Sequence, residues 1–357
     1  MTKCLKRKAV WIAFLVAAAV IMRIVQYYCI SPITTLSPFE DLSREDRLTR
    51  LMGIGLQTAT QTTPPTQLPG RHLTFCTMIK NEARYIREWV EFHSLLGVDR
   101  FIIFDNDSTD SPHLRLNESV ADVKIVKWPP ARWVDEANPH KKECEAYATH
   151  TRLDQFAYAA CQRAAFHVCV QNESFRSRWV AAVDIDEFFL PKYDENGLHS
   201  LPDALARYEH LDGFFPNAFT YGTNGFQNPI GENELIIETH LLRAGMDEWG
   251  GMKEFVNPSQ IITYGSVHRA THKDHMQDTF HFLRFIPKQH SMIRFNHYGF
   301  RSVEEVRHKG VKNMNEYIWP NIQKWNTVDV YDPYMIPMVP LVKKRMAGER
   351  IWICNKI

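Results

Sequence analysis

Two aspartates in the segment WVAAVDIDEFFLP carry the clearest chemistry in the 357-residue chain. Asp184 and Asp186 follow an apolar run and stand two residues apart. In extended backbone they point to one face, and Ile185 turns the other way, into the fold. Two hard oxygen donors on one face suit Mn²⁺ or Mg²⁺. A divalent ion held there can bridge the two phosphates of a nucleoside diphosphate and stabilise the charge on a leaving group. An Asp-x-Asp also occurs by chance in surface turns, and a structural turn is the competing reading. The flanking VAAV and EFF weigh against it, because a solvated turn is not normally wrapped in apolar residues. His268 closes QIITYGSVH and His297 sits in IRFNHYGFRS. Each can complete a metal shell through imidazole nitrogen or serve as a satisfied structural histidine.

The elements that must position these groups alternate in type. HLTFCTMI reads as a buried strand, and NEARYIREWVEFHSLLGV as a helix with Ile86, Val90 and Leu95 on one face and Gly97 at its end. RFIIFDNDSTDS is a second strand running into a turn, and VKIVKW a third. HTRLDQFAYAACQRAAFHV is a helix of about five turns. WVAAVDIDEFFLP is a fourth strand. GFFPNAFTYG, ELIIETHLLRA and QIITYGSVH read as further strands, and SVEEVRHKGVKN as a helix. This alternation predicts an α/β fold with a mostly parallel sheet flanked by helices. Ligands bind such sheets beyond the carboxyl ends of the strands. Three polar clusters fall there: Lys80-Asn81-Glu82, Asp105-Asn106-Asp107 and Asp184-Ile185-Asp186-Glu187. Asp105 can accept a hydrogen bond from a base or ribose; Asn106, Asp107 and Ser108 are also common turn formers.

Lys plus Arg number 42 against 41 Asp plus Glu, so no nucleic-acid partner is expected from the global field. The bias is local. Lys3, Lys6, Arg7 and Lys8 precede an apolar segment from Ala9 to Ile30 that matches a bilayer core in length. The reading is a cytoplasmic tail at 1–8, a transmembrane signal anchor at 9–30 and a lumenal remainder, that is, a single-pass type II protein of the Golgi membrane. A cleaved signal peptide is the alternative, with Ala17–Ala19 as the cleavage region. Arg23 inside the span must snorkel or find a polar neighbour. Residues 31–71 read as a Thr-, Gln- and Pro-rich stem, 72–340 as the globular domain and 341–357 as a C-terminal tail. Seven cysteines leave at least one free thiol, with pairing open, and the absence of Cys-x-x-Cys argues against a zinc ribbon. Asn106, Asn117 and Asn172 begin glycosylation sequons.

Several of these blocks together resemble glycosyltransferase family 92. KNEARYIREWVEFHSLLGVDRFIIFDNDSTD is similar to the family's opening pattern, with Asn81-Glu82, Glu88-Trp89, His93 and Gly97-Val98 in the expected places. Gln155 through Cys161 resembles its Gln-rich helix, and WVAAVDIDEFFLP is the closest match. Lys253 with VNPSQIITYGSVH, then NHYGFRS with Lys309, resemble its C-terminal elements. The resemblance implies a GT-A-like nucleotide-sugar-binding fold and inverting transfer from a UDP-sugar, UDP-galactose, to a glycan hydroxyl with Mn²⁺ (or Mg²⁺). It implies Asp184 and Asp186 on the metal, joined by His297, whose His-Tyr segment resembles the late metal ligand of GT-A enzymes, with His268 as the weaker candidate. Asp105 would face the nucleotide. Lys80, Asn81, Glu82, Asp107, Gln155 and Lys253 complete the expected donor side.

An inverting transfer needs a carboxylate to take the acceptor's proton. Residues Gly222 to Gly251 have no clear family match and are expected to hold it. Asp247 and Glu248, in the glycine-flanked AGMDEWGGM, are the candidates, against the plain reading of an exposed acidic turn. Trp249 beside them suits stacking on a sugar or packing in a core. Two rival functions remain: a sugar-binding protein on the same fold without catalysis, and a metal-dependent nucleotidyltransferase or phosphotransferase. The second lacks a Walker-type glycine loop here.

Overall fold

The structure is a computed structural model that describes residues 60–61, 73–117, 119, 121–128, 154–173, 176–193, 197–245, 252–273, 291–309 and 328–353. The expected anchor at 9–30, most of the stem, the Asp247-Glu248-Trp249 segment and Cys4, Cys29, Cys144 and Cys354 lie outside these residues, as does the side chain of Gln155. Among the described residues no helix is long and apolar enough to cross a membrane.

The first half of the folded unit runs β1 (Leu73–Ile79), α1 (Ile86–Leu95), β2 (Arg100–Asp105), β3 (Asp122–Lys127), α2 (Asp154–Glu173), β4 (Trp179–Ala182) and β5 (Glu187–Pro191). The second half adds β6 (Gly213–Phe214), β7 (Asn217–Thr220), β8 (Leu242–Ala244), β9 (Phe255–Val256), β10 (Ile261–Ser266), β11 (Arg269–His272), β12 (Ile293–His297), α3 (Val303–Lys309), β13 (Val328–Tyr331) and α4 (Val339–Met346). The central sheet has the order β3-β2-β1-β4-β9-β6. Its first four strands are parallel; β9 is antiparallel to both neighbours. This is the expected α/β arrangement with a mostly parallel sheet.

The period-two pattern of these strands divides the core into two layers. On β1 and β2, Phe75, Ile79, Phe101 and Ile103 face one way and pack with Trp89, Val90 and Leu95 of α1. Cys76, Met78, Ile102 and Phe104 face the other way, toward Ala165, Phe166 and Val170 of α2. A Cys76–Cys169 disulfide ties α2 to the middle of β1. Gly97 ends α1 at φ +91°, a left-handed conformation that favours glycine, and a Cβ there would press on Pro202 Cδ at 3.0 Å.

Helix α1 is buried on nearly every side, beyond the single face that its apolar spacing predicts. Its polar residues are therefore paired. Glu91 binds Arg345 of α4 at 2.9 Å, and Arg345 also donates to Ser94 Oγ. His93 donates from Nδ1 to the Trp89 carbonyl and accepts the Phe189 N–H at Nε2, both at 2.9 Å. Burial holds its pKa down at about 3.

Four sequence expectations change. ELIIETHLLRA is not one strand: Ile236–Thr239 is a short helix, followed by β8. The buried Glu88 carboxylate accepts the Ile236 and Ile237 N–H groups at 2.9 and 3.1 Å, which fixes a helical start there. GFFPNAFTYG divides into β6 and β7, which belong to different sheets. The expected boundary at 340/341 falls inside α4, and the stem residues Thr60–Gln61 pair antiparallel with Trp352–Ile353. The fourth change concerns the Asp184 motif itself.

Candidate active site

WVAAVDIDEFFLP is two strands joined by a turn, not one. Val183 N–H continues the β4 ladder to the Cys76 carbonyl, then Glu187 N–H closes on the Asp184 carbonyl at 3.1 Å. After the turn β5 enters a second sheet of order β5-β12-β7. The two aspartates therefore stand where the sheets meet, not on one face of an extended strand. Ile185 is buried in the core as expected. The register of the second sheet decides what Asp186 meets. In β12, His297 pairs with Glu187, and Tyr298 N–H donates to the Asp186 carbonyl at 2.7 Å. His297 Nε2 thereby comes to 3.7 Å from Asp186 Oδ1. Gly299 keeps that imidazole face open: a Cβ there would stand 2.9 Å from His297 Nε2.

Asp184 has different partners. Its Oδ2 lies 2.8 Å from Lys253 Nζ, and its Oδ1 accepts from Gln162 Nε2 at 2.5 Å. Lys253 is buried, and its ammonium also lies 3.7 Å from Glu187. Burial pushes Lys253 toward neutrality, but Asp184 and Glu187 outweigh it and hold its pKa above the usual lysine value. Burial likewise drives the Glu187 carboxyl well above the usual carboxylate range, against the opposing pull of Lys253. Glu187 Oε2 accepts the Asp184 N–H at 2.9 Å and so fixes the turn from within.

Asp184, Asp186 and His297 line a cleft of about 660 Å³ at the carboxyl ends of β1 and β4, together with Lys80, Asn81 and Glu82. Six expected site residues thus share one cleft: Lys80, Asn81, Glu82, Asp184, Asp186 and His297. Gln162, Arg301 and Glu305 line it too, and sequence reasoning had given them no role. Arg301 is buried, donates to both Glu82 oxygens at 2.8 and 3.1 Å, and stacks over Tyr85 at 3.9 Å. The Ser302-x-x-Glu305 spacing is a capping-box signal that marks the start of α3. It gave no sign that Glu305 would reach the cleft.

Four expected residues are placed elsewhere. Asp105 Oδ1 accepts the Ser108 N–H at 3.0 Å, and exposed Asp107, at φ +55°, lies 3.6 Å from Lys127. Their loop buttresses the neighbouring one: Asn81 Oδ1 accepts from Thr109 N–H, and Asn81 N–H donates to Ser108 Oγ. The turn-forming reading of these residues accounts for the geometry, and they do not line the cleft. Lys253 sits behind Asp184 as a buried counter-ion. His268 is exposed and meets the Met252 carbonyl through Nδ1 at 3.2 Å.

Among the described residues no three His, Cys, Asp or Glu side chains form a ready-made metal site. The donor pair Asp186–His297 nonetheless fits a divalent ion of the kind held by one or two protein groups, with substrate phosphates and water supplying the rest. Asp184 lines the same cleft, with Lys253 and Gln162 on its two oxygens.

The chain matches the family model described as glycosyltransferase family 92 over residues 71–329. A family 92 protein of Ricinus communis is 25% identical over 268 residues, covering 72% of this chain and 41% of the relative. One of Oryza sativa subsp. japonica is 30% identical over 285 residues, covering 75% and 42%. The chain spans about two fifths of the length of these curated relatives. A solved structure of glucosyl-3-phosphoglycerate synthase from Mycobacterium tuberculosis, in complex with Mn²⁺, uridine diphosphate and glucosyl-3-phosphoglycerate, aligns at 16% identity with a TM-score of 0.25. It covers 56% of this chain and 64% of that one, and so weak a likeness carries no argument. The family match, which takes in every cleft residue named above, settles the classification: the chain belongs to glycosyltransferase family 92.

Proposed function

We propose that the protein is a metal-dependent inverting glycosyltransferase of GT-A-like fold that moves a sugar from a UDP-sugar, UDP-galactose, onto a glycan hydroxyl. The observation that carries this reading is the Asp186–His297 pair, 3.7 Å apart in a cleft at the carboxyl ends of parallel strands. Asp186 and His297 would hold Mn²⁺ or Mg²⁺, and the ion would neutralise charge on the departing diphosphate. The chain's own groups do the rest. Lys253 and Gln162 fix the Asp184 side chain, Glu187 fixes its backbone, and the turn presents Asp186 to the cleft. Exposed Lys80 stands at the cleft rim, where its ammonium can meet phosphate oxygens. The two sheets meeting beneath the site limit how far these groups can move, which is the preorganisation that transition-state stabilisation requires.

The compartment belongs to the same proposal. A Cys76–Cys169 disulfide suits an oxidising lumen, and the basic, apolar N-terminus suits a type II Golgi anchor with the catalytic domain lumenal. Sequencing the mature N-terminus tests the anchor, since a start beyond residue 30 would sink it. Screening the full chain against UDP- and GDP-sugars, with and without Mn²⁺, tests the reaction. The expected result is Mn²⁺-dependent release of UDP; release from no donor would overturn the reading.

A further inference from the structure

We propose that Asn117 and Asn172 carry N-linked glycans and that Asn106 does not, an assignment that rests on the lumenal topology proposed above. Each of the three begins an Asn-x-Ser sequence, so spacing alone does not separate them. The fold does. A glycan is bulky and hydrophilic, and the chain can fold around one only where the asparagine ends at the surface with room beside it.

Asn106 does not meet that condition. It is half-buried just past the carboxyl end of β2. Its backbone N–H donates to the Ile79 carbonyl at 2.9 Å, and its side-chain Nδ2 donates to the Trp128 carbonyl at 3.3 Å. A sugar on that nitrogen would crowd the end of β3. The serine of the same sequence, Ser108, accepts the Asn81 N–H at 3.0 Å, and Asn81 lines the cleft. A glycan on Asn106 would therefore stand against a loop that builds the cleft rim.

Asn117 and Asn172 are exposed. Asn172 lies in the last turn of α2. Its neighbour Glu173 turns inward to Arg100 and Ser177, and Ser177 bonds Thr74, so this turn sits at the amino ends of β1 and β2. Gln162, the α2 residue that lines the cleft, is about 15 Å away along the helix axis at about 1.5 Å per residue. The Asn172 glycan thus projects from the end of the sheet opposite the cleft. Asn117 follows the short helix Pro112–Leu116 and keeps helical backbone, with φ −58° and ψ −26°. Leu114, three residues earlier, shares its face and is 60% exposed. A glycan on Asn117 would cover part of that apolar side chain. In each transfer the asparagine Nδ2 forms a bond to the anomeric carbon of an oligosaccharide carried on a lipid diphosphate. The bond from that carbon to the diphosphate oxygen breaks, its electron pair leaves with the lipid diphosphate, and the amide gives up one proton to the host's transferase.

The test uses the full chain expressed in cultured mammalian cells, with a C-terminal extension that carries an Asn-Gly-Thr sequence as a reporter of the lumen. Peptide N-glycosidase in heavy-oxygen water converts each glycosylated asparagine to labelled aspartate, which mass spectrometry then locates. The expected result is label at Asn117, at Asn172 and in the extension, and none at Asn106. Asn117→Gln and Asn172→Gln should each remove one step of the enzyme-sensitive gel shift. Label at Asn106, or a labelled extension beside an unlabelled Asn117 or Asn172, would overturn the assignment and leave the topology standing. An unlabelled extension with all three sites unlabelled would sink the topology and the assignment together.

Discussion

The two walls of the cleft are built in opposite ways. One wall, Asp184 with Asp186, comes from a single turn where β4 passes into β5, and its partners Lys253 and His297 are delivered by strand pairing. The other, Glu82 with Arg301 and Glu305, joins side chains 219 residues apart in the chain. On the first wall each aspartate has its own partner, and a pair of donors faces the cleft. On the second the arginine is shared between Glu82 and Glu305. The contrast separates a wall made to hold a charged ligand from a wall made to hold itself together. Damage to the first should therefore register mainly in turnover, and damage to the second mainly in stability.

The largest effect expected is on the first wall. Asp186→Asn should lower turnover of a UDP-sugar by about 10³-fold while the folded structure persists, checked by UDP release and circular dichroism. On the second wall, Arg301→Met strands Glu82 in a largely buried site. It should cost about 3–5 kcal/mol, read from the urea midpoint. Lys253→Met tests whether the division is clean. It removes the counter-ion of Asp184, whose side chain is 30% exposed, so the stability loss should be smaller, about 2–3 kcal/mol. It should also reduce turnover, because the turn that presents Asp186 loosens. Equal stability losses from the two cation variants would blur the contrast between the walls.

A pH-dependent effect lies beneath both walls. His93 is neutral in the fold, since its Nε2 receives the Phe189 N–H and has no room for a second proton. Its folded pKa, about 3, is below the unfolded value of about 6.5. Its contribution is thus complete above about pH 6.5 and is lost as the pH falls toward 3, at about 1.4 kcal/mol per pH unit. Urea unfolding from pH 7 to 4 should show that slope, and His93→Gln should remove it.

Most of the parallel sheet was legible because its strands are short apolar runs between turn residues, and the Asp184 motif because its carboxylates sit inside such a run. The motif's shape was not. Alternation along WVAAVDIDEFFLP cannot show that the chain leaves one sheet at Ala182 and enters another at Glu187. Ile236–Thr239 read as a strand because the group that sets its helix, Glu88, lies 148 residues earlier in the chain. Asp105 and Asp107 end a strand, where Asp105 Oδ1 takes the Ser108 N–H of its own loop and Asp107 lies beside Lys127. Arg301 and Glu305 were invisible for the same long-range reason: no local spacing joins them to Glu82 or Asp186.

The most direct test of the central claim is calorimetric titration of UDP into the full chain, with and without Mn²⁺, for wild type, Asp186→Asn and His297→Ala. The account predicts UDP binding that depends on Mn²⁺ in wild type and weakens about 10-fold or more in each variant. Equal UDP affinity with and without Mn²⁺, unchanged in both variants, would contradict it.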